Sequence, residues 1–258
     1  MFDEVLQSGH RLFSVWRRNA MVWRKSCLRS LLGTFSDPLL YLLALGYGLG
    51  RFVGDVDGLA YASFLSSGII ASSAMNTATF EGLYMAYTRM ETQRIWDSLL
   101  AAPLCLEEVV FGEILWMGTK SVISVSAILI VALLLGLVHH WLAILVIPLG
   151  FLCGLCFGAM AMVVTSYAKS YEFFLYYVTL LITPMILLSG VFFPLSSLPD
   201  EVRMVSAMLP LQHVVILVRA LMAGNLAMAD GLHLVVPLFF LGLAGSFAIM
   251  RFKRRLQY

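Results

Sequence analysis

Segments of about twenty residues that contain no Asp, Glu, Lys or Arg recur along the chain, and they restrict it to one class of protein. Residues 59–80 and 121–138 are two such segments. A helix needs about 20 mainly apolar residues to cross the hydrocarbon core of a bilayer. Charged residues make up only 12% of the chain, against about 25% in an average soluble domain. The sequence therefore predicts an all-α integral membrane protein.

The apolar segments predict one transmembrane domain over residues 1–258 with six spans. The predicted spans are 30–50, 59–81, 116–138, 141–168, 173–194 and 232–250. Residues 1–28 predict an amphipathic helix in the plane of the interface, because apolar positions occupy one helical face and basic positions the other. Such a helix either anchors the chain or moves with transport and guides an amphiphilic substrate, and the sequence leaves both open.

Lys and Arg residues gather on one side of the six predicted spans. Thirteen of them fall before the first span, between spans two and three, between spans four and five, or after the last. The opposite side keeps three: Arg51, Arg203 and Arg219. Because cytoplasmic loops carry the excess of Lys and Arg, both termini are predicted to be cytoplasmic.

The apolar segment 195–231 does not fit a seventh span. Its longest apolar run, 211–223, is short and contains Arg219, and a further crossing would move the basic C-terminus to the outer side. We expect two short outer helices, about 199–208 and 211–223, broken at Pro210. Backbone that enters the membrane without crossing it is tolerated where protein buries it, so a re-entrant pair is predicted.

A cytoplasmic helix is predicted at 86–100, between spans two and three. The segment is rich in helix-forming residues and mixes charged side chains with Trp96, Leu99 and Leu100. A compact helix with an apolar ridge is suited to docking in the groove of a partner. The alternative interpretation is a helix with capped ends that belongs to an intracellular loop and has no partner.

Four charged residues near the predicted spans lie toward the cytoplasmic leaflet: Asp37, Glu81, Glu113 and Lys120. Charges at membrane depth usually have a function, whereas those near the interface extend into water. The four either form ion pairs with one another or rim a cytoplasmic entrance that meets a polar head group or sugar.

Span four carries Gly150, Gly154 and Gly158 on one helical face. Small residues at a spacing of four allow two helices to approach closely, so we predict a packing role. Cys153 and Cys156 lie in the same apolar run without a basic neighbour, and we interpret them as packing residues rather than a metal or redox site.

The sequence has few features of an enzyme. It contains no G-x-x-x-x-G-K-[ST] loop for nucleotide phosphates and no H-E-x-x-H zinc motif. An intramembrane serine protease would need Gly-x-Ser-Gly, but residues 187–190 read Leu-Leu-Ser-Gly. A membrane enzyme that acts on lipids or peptides through Ser189 or His213 is therefore the less favoured hypothesis.

Five segments of the chain resemble NodJ-type permeases, a branch of the type-2 ABC exporters, and the resemblance extends nearly end to end. The segments are VWRRNAMVWRKS (15–26), DPLLYLLALGYGLG (37–50), ATFEGLYMAYTRMETQRIWDSLL (78–100), SYEFFLYYVTLLITPMILLSGVFFPLSSLP (170–199) and LPLQHVVILVRALMAG (209–224). The resemblance implies a permease subunit without catalytic activity that exports a lipo-oligosaccharide, glycolipid or polysaccharide. Related permeases also export small hydrophobic drugs, which is the alternative substrate class.

The resemblance also implies an assembly. Two copies of the chain would pair with two NodI-like ATP-binding subunits in the bacterial cytoplasmic (inner) membrane. ATP and Mg would be bound by those subunits, with no cofactor in this chain. Membrane lipids and the amphiphilic substrate would be its other partners, and no nucleic acid is expected.

Three sets of residues receive roles from the resemblance. The expected ATPase-coupling residues are Arg89, Glu91, Arg94 and Trp96. The candidate pathway or entrance residues are Asp37, Tyr41, Phe80, Glu81, Tyr176 and Tyr177. The outer re-entrant lid is expected to include Phe192, Phe193, Pro194, Pro210 and Arg219.

Overall fold

A computed structural model describes residues 2–27, 30, 38–56 and 58–256. These residues are almost entirely helical. The strands found among them, Asp55–Val56 and Leu59–Ala60, form one short antiparallel hairpin. The predicted all-α class is confirmed.

Ten helices are described in chain order. The first five are α1 (Phe2–Arg24), α2 (Pro38–Val53), α3 (Tyr61–Phe80, continued by π-helical Glu81–Ala86 and Thr88–Thr92), α4 (Ile95–Ala101) and α5 (Leu106–Leu134). The others are α6 (Val146–Tyr167), α7 (Glu172–Leu188), α8 (Asp200–Ser206), α9 (Pro210–Ala223) and α10 (Val235–Leu256). The 3₁₀ turns Trp141–Leu145 and Met228–Leu234 lead into α6 and α10.

Three of the described helices are long and apolar enough to cross a membrane: α5, α6 with its leading turn, and α10 with its leading turn. The pair α8 and α9 passes the same criteria only if its two helices, bent by 90°, are taken as one span. Helices α2 and α7 are shorter apolar helices. These findings agree with a membrane protein that crosses the bilayer several times, and the count of six spans stays a prediction.

Several helix boundaries differ from those predicted. Helix α5 begins at Leu106, ten residues before the predicted span at 116, because glutamates such as Glu107, Glu108 and Glu113 favour helix, and the buried Glu113 is paired with Arg89. Helix α7 ends at Leu188 rather than 194, where Gly190 adopts a φ of 74°. Positive φ is readily accessible to glycine and ends helices.

The region predicted as one helix over 86–100 is divided in the structure. Helix α3 continues past residue 81 to Thr92, and α4 begins only at Ile95. Between them Arg94 adopts a left-handed conformation with φ of 50°, which interrupts the helix. The candidate coupling segment is therefore the end of α3, a turn and the short helix α4.

The predicted packing role of the span-four glycines is confirmed. They lie where α6 meets α5, and a Cβ atom at Gly154 would stand 2.5 Å from Ser121 Oγ. A Cβ atom at Gly150 would stand 2.7 Å from Val125 Cγ2. Helices α5 and α6 thus pack at a distance that only glycine permits. Cys153 in the same helix is fully buried.

Helix α1 packs along the N-terminal half of α5. A Cβ atom at Gly112 would stand 2.6 Å from Val15 Cβ, and Trp16 Nε1 donates a 2.9 Å hydrogen bond to Thr119 Oγ1. The amphipathic helix therefore docks on the helical bundle through its apolar face, which fixes the position of its remaining residues.

Candidate functional site

The described residues enclose a cavity of about 1090 Å³ beside α3. Helices α1, α2, α3 and α7 supply its walls, and Trp116 and Lys120 of α5 reach it at one end. The cavity is only partly enclosed. This volume is at the upper end of what ligand pockets usually have.

The wall formed by α3 changes in chemistry along its length. In the middle of α3, hydroxyl and amide side chains such as Ser72 and Asn76 line the cavity. Toward the C-terminal end of α3, the aromatic rings of Phe80 and Tyr84 stack with centroids 5.7 Å apart, and Glu81 also lines the cavity there. Residues three and four apart share one helical face, so one stripe of α3 presents both hydrogen-bonding and stacking groups.

Arg89 lies at the centre of a buried ion cluster near the C-terminal end of α3. Its Nε and NH2 donate to the two oxygens of Glu113 at 3.1 and 2.6 Å, and its NH1 donates to Glu81 Oε1 at 3.0 Å. Trp116 Nε1 donates to the same Glu81 oxygen at 2.9 Å. Such a bidentate arginine–carboxylate pair is strong and geometrically specific. The cluster joins α3 to α5.

Two further cations line the same end of the cavity. Lys120 Nζ donates to Ser30 Oγ at 2.8 Å and lies 5.3 Å from the centre of the Trp23 ring. Arg18 NH1 donates to Asn19 Oδ1 at 2.9 Å. Burial lowers the pKa of Arg18 from its ordinary value, with a further lowering by the nearby Arg89 charge that Glu113 opposes.

Arg219 of α9 connects α3 to the turn after α7, beyond the opposite end of the cavity. Its Nε donates to Ser67 Oγ at 3.2 Å, its NH2 donates to the Gly190 carbonyl at 2.9 Å, and its guanidinium lies 3.7 Å from the centre of the Phe64 ring. Tyr61 Oη donates to the Phe192 carbonyl at 3.2 Å. The turn after α7 is therefore fastened to α3.

The predicted pathway residues separate into three groups. Tyr41, Phe80 and Glu81 line the cavity. Tyr176 is 64% exposed and Tyr177 is half-buried, and neither lines the cavity. Asp37 lies outside the described residues.

The predicted lid residues also occupy different positions. Phe192 lines the cavity, and its ring meets Tyr41 with centroids 6.2 Å apart. Phe193 and Pro194 follow it in the turn at intermediate exposure, outside the cavity lining. Pro210 begins α9 and is buried. Proline is tolerated there because the first turn of a helix has no intrahelical use for its backbone N–H.

The predicted ATPase-coupling residues are not all accessible. Arg89 belongs to the buried ion cluster, and Trp96 is 1% exposed and packs against Phe252 with ring centroids 5.0 Å apart. These two positions do not support a direct contact with a partner. Glu91 is exposed and pairs with Arg255. Arg94 is also exposed, and its NH1 lies 3.7 Å from Asp97 Oδ2.

Ion pairing among the four charged residues near the spans was one of the two interpretations, and the structure shows different partners. Glu81 and Glu113 do pair, but with Arg89 rather than with Lys120. The sequence reading assigned Arg89 to a partner contact and did not single out Arg18, Asn19 or Trp23 for the cavity. The basic, tryptophan-containing face of α1 was the available signal for those three residues.

The enzyme hypothesis finds no catalytic arrangement at the residues it named. Ser189 is fully buried and donates to the Met185 carbonyl at 2.6 Å. His213 contacts the Ala207 carbonyl at 2.9 Å and His233 Nδ1 at 2.7 Å. The serine and His213 therefore each have a different structural partner.

Comparison with known proteins agrees with this architecture. The family described as ABC-2 type transporter matches residues 10–223. Nodulation protein J of Rhizobium meliloti (strain 1021) is 43% identical over 240 residues, which cover 90% of this chain and 91% of that protein. Nodulation protein J of Rhizobium leguminosarum bv. viciae is 43% identical over 250 residues, 96% of each chain.

A more distant relative is a transport permease by name. The inner membrane transport permease YadH of Escherichia coli (strain K12) is 24% identical over 208 residues, 79% of each chain. Membership of the ABC-2 family implies an ATPase partner and a chain that crosses the membrane several times. The chain belongs to the ABC-2 type transporter family and is a non-catalytic membrane permease of an ABC transporter.

Proposed function

We propose that this permease exports an amphiphilic lipo-oligosaccharide, glycolipid or polysaccharide from the cytoplasm through the cavity beside α3. The carrying observation is the mixed chemistry of one helical stripe, where Ser72 and Asn76 precede Phe80 and Tyr84. Hydroxyl and amide groups bind sugar hydroxyls, and aromatic faces pack on sugar rings or acyl chains. The resemblance to NodJ-type permeases implies a lipo-oligosaccharide cargo, and the extensive similarity to nodulation protein J supports that resemblance.

The transporter would contain two copies of this chain. Polar side chains of α3 that line the cavity, such as Asn76 and Thr77, are of intermediate exposure, and polar groups are costly to place against hydrocarbon. The helices that form the cavity walls also carry exposed apolar side chains, with Phe52 of α2 at 88% and Leu180 of α7 at 73% exposure. A second copy would close the cavity and cover these side chains.

Cysteine crosslinking tests this dimer. Single cysteines at Phe52 and Leu180 should crosslink between copies in membranes. A cysteine at Phe239, which is 63% exposed on α10, is the matched control and should not crosslink. Crosslinking at Phe239 alone would place the dimer contact on the other face of the molecule.

Two ATP-binding subunits would supply the energy, and they would bind ATP and Mg. The candidate contact is the cytoplasmic end of α3, the turn at Arg94 and helix α4. Trp96 anchors α4 to Phe252 of α10, so a movement imposed on α4 reaches the helical bundle. Arg94 and Asp97 leave charged groups exposed for the partner.

The chain would lie in the bacterial cytoplasmic membrane with both termini in the cytoplasm. Lys253 near the C-terminus pairs with Glu107 at 2.5 Å, and Arg11 of α1 lies 3.9 Å from Glu108. These contacts support one common side for both termini and the start of α5. The excess of Lys and Arg on that side supports its cytoplasmic assignment.

Purification of the permease with its ATPase tests the function. The complex should retain the ATPase in mild detergent, and a lipo-oligosaccharide should stimulate ATP hydrolysis. Stimulation by small hydrophobic drugs alone would replace the proposed cargo. Failure to retain any ATPase would contradict the assembly.

A further inference from the structure

The cytoplasmic end of the cavity contains more positive than negative charge among the described residues. Arg18, Arg89 and Lys120 face Glu81 and Glu113 in one electrostatically connected cluster. Three cations against two carboxylates leave one positive charge without a matching negative charge. The arrangement is suited to a ligand that brings an anion.

The two carboxylates are already used by Arg89. Glu113 binds it through both oxygens, and Glu81 accepts from it and from Trp116. Arg89 therefore has its counterions within the protein. Among the described residues, the excess positive charge therefore belongs to Arg18 and Lys120.

Lys120 is 8% exposed, and its ammonium contacts the neutral hydroxyl of Ser30 and the ring of Trp23. Its ammonium has three N–H donors, and Ser30 Oγ at 2.8 Å accepts one. No carboxylate oxygen of the described residues lies within 4.0 Å of Nζ. A buried ammonium without a counterion is unfavourable, and an anion that enters the cavity would relieve that cost.

Arg18 and Asn19 add donors on the adjoining wall. Arg18 donates to Asn19 Oδ1, so the amide nitrogen of Asn19 points away from that contact. Asn19 is 4% exposed, and its Nδ2 is buried without a hydrogen-bond partner among the described residues. Both residues line the cavity together with Lys120. Their free capacity is in donors, which an oxyanion accepts.

We propose that Arg18, Asn19 and Lys120 bind the acidic head group of an amphiphile, a phosphate, sulfate or carboxylate, at the cytoplasmic end of the cavity. Val22 and Leu187 line the same cavity and would contact the apolar chain. The inference rests on the proposed function where it treats the cavity as the cargo path. The acidic group belongs either to the cargo or to a phospholipid of the inner leaflet.

Binding of radiolabelled dodecyl phosphate to the full chain in phosphatidylcholine nanodiscs tests the site, with dodecyl maltoside as the neutral probe and empty nanodiscs as background. Loss of one charged contact should weaken dodecyl phosphate binding about tenfold. We expect that loss in Lys120→Met and Arg18→Gln, and retention in Lys120→Arg. Arg17→Gln removes the same charge from an exposed neighbour on α1 and should bind as the wild type does.

Each outcome has a distinct meaning. Equal loss of both probes in Lys120→Met would assign the lysine a purely structural role and overturn the site. Unchanged dodecyl phosphate binding in Lys120→Met and Arg18→Gln would also overturn it. Competition by phosphatidylglycerol nanodiscs would support a membrane phospholipid as the source of the acidic group, and absence of competition would support the cargo.

The test separates this inference from the proposed function. ATP-dependent export of a neutral glycolipid by a complex that fails to bind dodecyl phosphate would overturn the anion site alone. Loss of all ATP-dependent export, with dodecyl phosphate binding intact, would overturn the exporter and leave the anion site supported.

Discussion

The buried pair of Arg89 and Glu113 makes a quantitative prediction about what joins α3 to α5. The guanidinium and the carboxylate share two hydrogen bonds of 3.1 and 2.6 Å, and their side chains are 13% and 0% exposed. Removal of one partner of a buried pair costs about 3–5 kcal/mol, because the other charge stays buried. Arg89 keeps Glu81 at 3.0 Å, so Glu113→Gln should cost about 3 kcal/mol, at the low end of that range.

The reverse change should cost more. Arg89→Met leaves Glu113 without its two donors, whereas Glu81 still accepts from Trp116 at 2.9 Å. We expect a loss of about 4 kcal/mol in the free energy of unfolding for this variant. The double variant should be less destabilised than the sum of the two, with a coupling energy of about 2 kcal/mol or more.

Equilibrium unfolding of the full chain in mixed micelles, followed by circular dichroism, measures these values. The matched control is the exposed pair of Arg94 and Asp97, whose atoms lie 3.7 Å apart. Its coupling energy should stay within about 0.5 kcal/mol, as for surface ion pairs. A coupling energy for Arg89 and Glu113 as small as that of the control would refute the buried cluster as the connection between α3 and α5.

Three further predictions address packing, coupling and topology. Gly68→Ala should destabilise the protein by about 1–3 kcal/mol, because the added Cβ would stand 2.5 Å from a backbone oxygen of the turn after α7. Gly242→Ala is the control, since its Cβ would meet open space, and equal unfolding midpoints of the two variants would refute the close approach at Gly68. Glu91→Lys should reduce cargo-stimulated ATP hydrolysis by breaking the pair with Arg255, and Arg255→Glu in the same chain should restore it; absence of rescue would exclude the pair as the cause. A cysteine at Arg203 should react with an impermeant maleimide from outside intact cells, and labelling only in inside-out vesicles would reverse the orientation.

The features that followed from the sequence are those set by neighbouring residues. Uncharged segments predicted the membrane class, and the glycine spacing predicted the contact at Gly154. Pro210 predicted the start of the second outer helix, which begins there. Each of these depends on helix periodicity or on a proline's local geometry, which a short segment already contains.

The composition of the cavity required contacts that are distant in the chain. Arg89 pairs with Glu113 in another helix, and Lys120 reaches Ser30 beside α1. The resemblance to NodJ-type permeases implied a partner contact for Arg89, because this residue lies in the segment that matches the expected coupling region. Only the approach of α5 and α1 to α3 makes these charges a buried site.

ATP-dependent uptake of a lipo-oligosaccharide into inside-out vesicles tests the proposed export path most directly. The assay compares the complete complex with the Asn76→Trp variant, in which the larger indole side chain occupies part of the cavity. We predict uptake that requires ATP and both subunits, and that falls in the variant while assembly and basal ATP hydrolysis are retained. Uptake without ATP, or undiminished uptake with the cavity filled, would contradict export through this cavity.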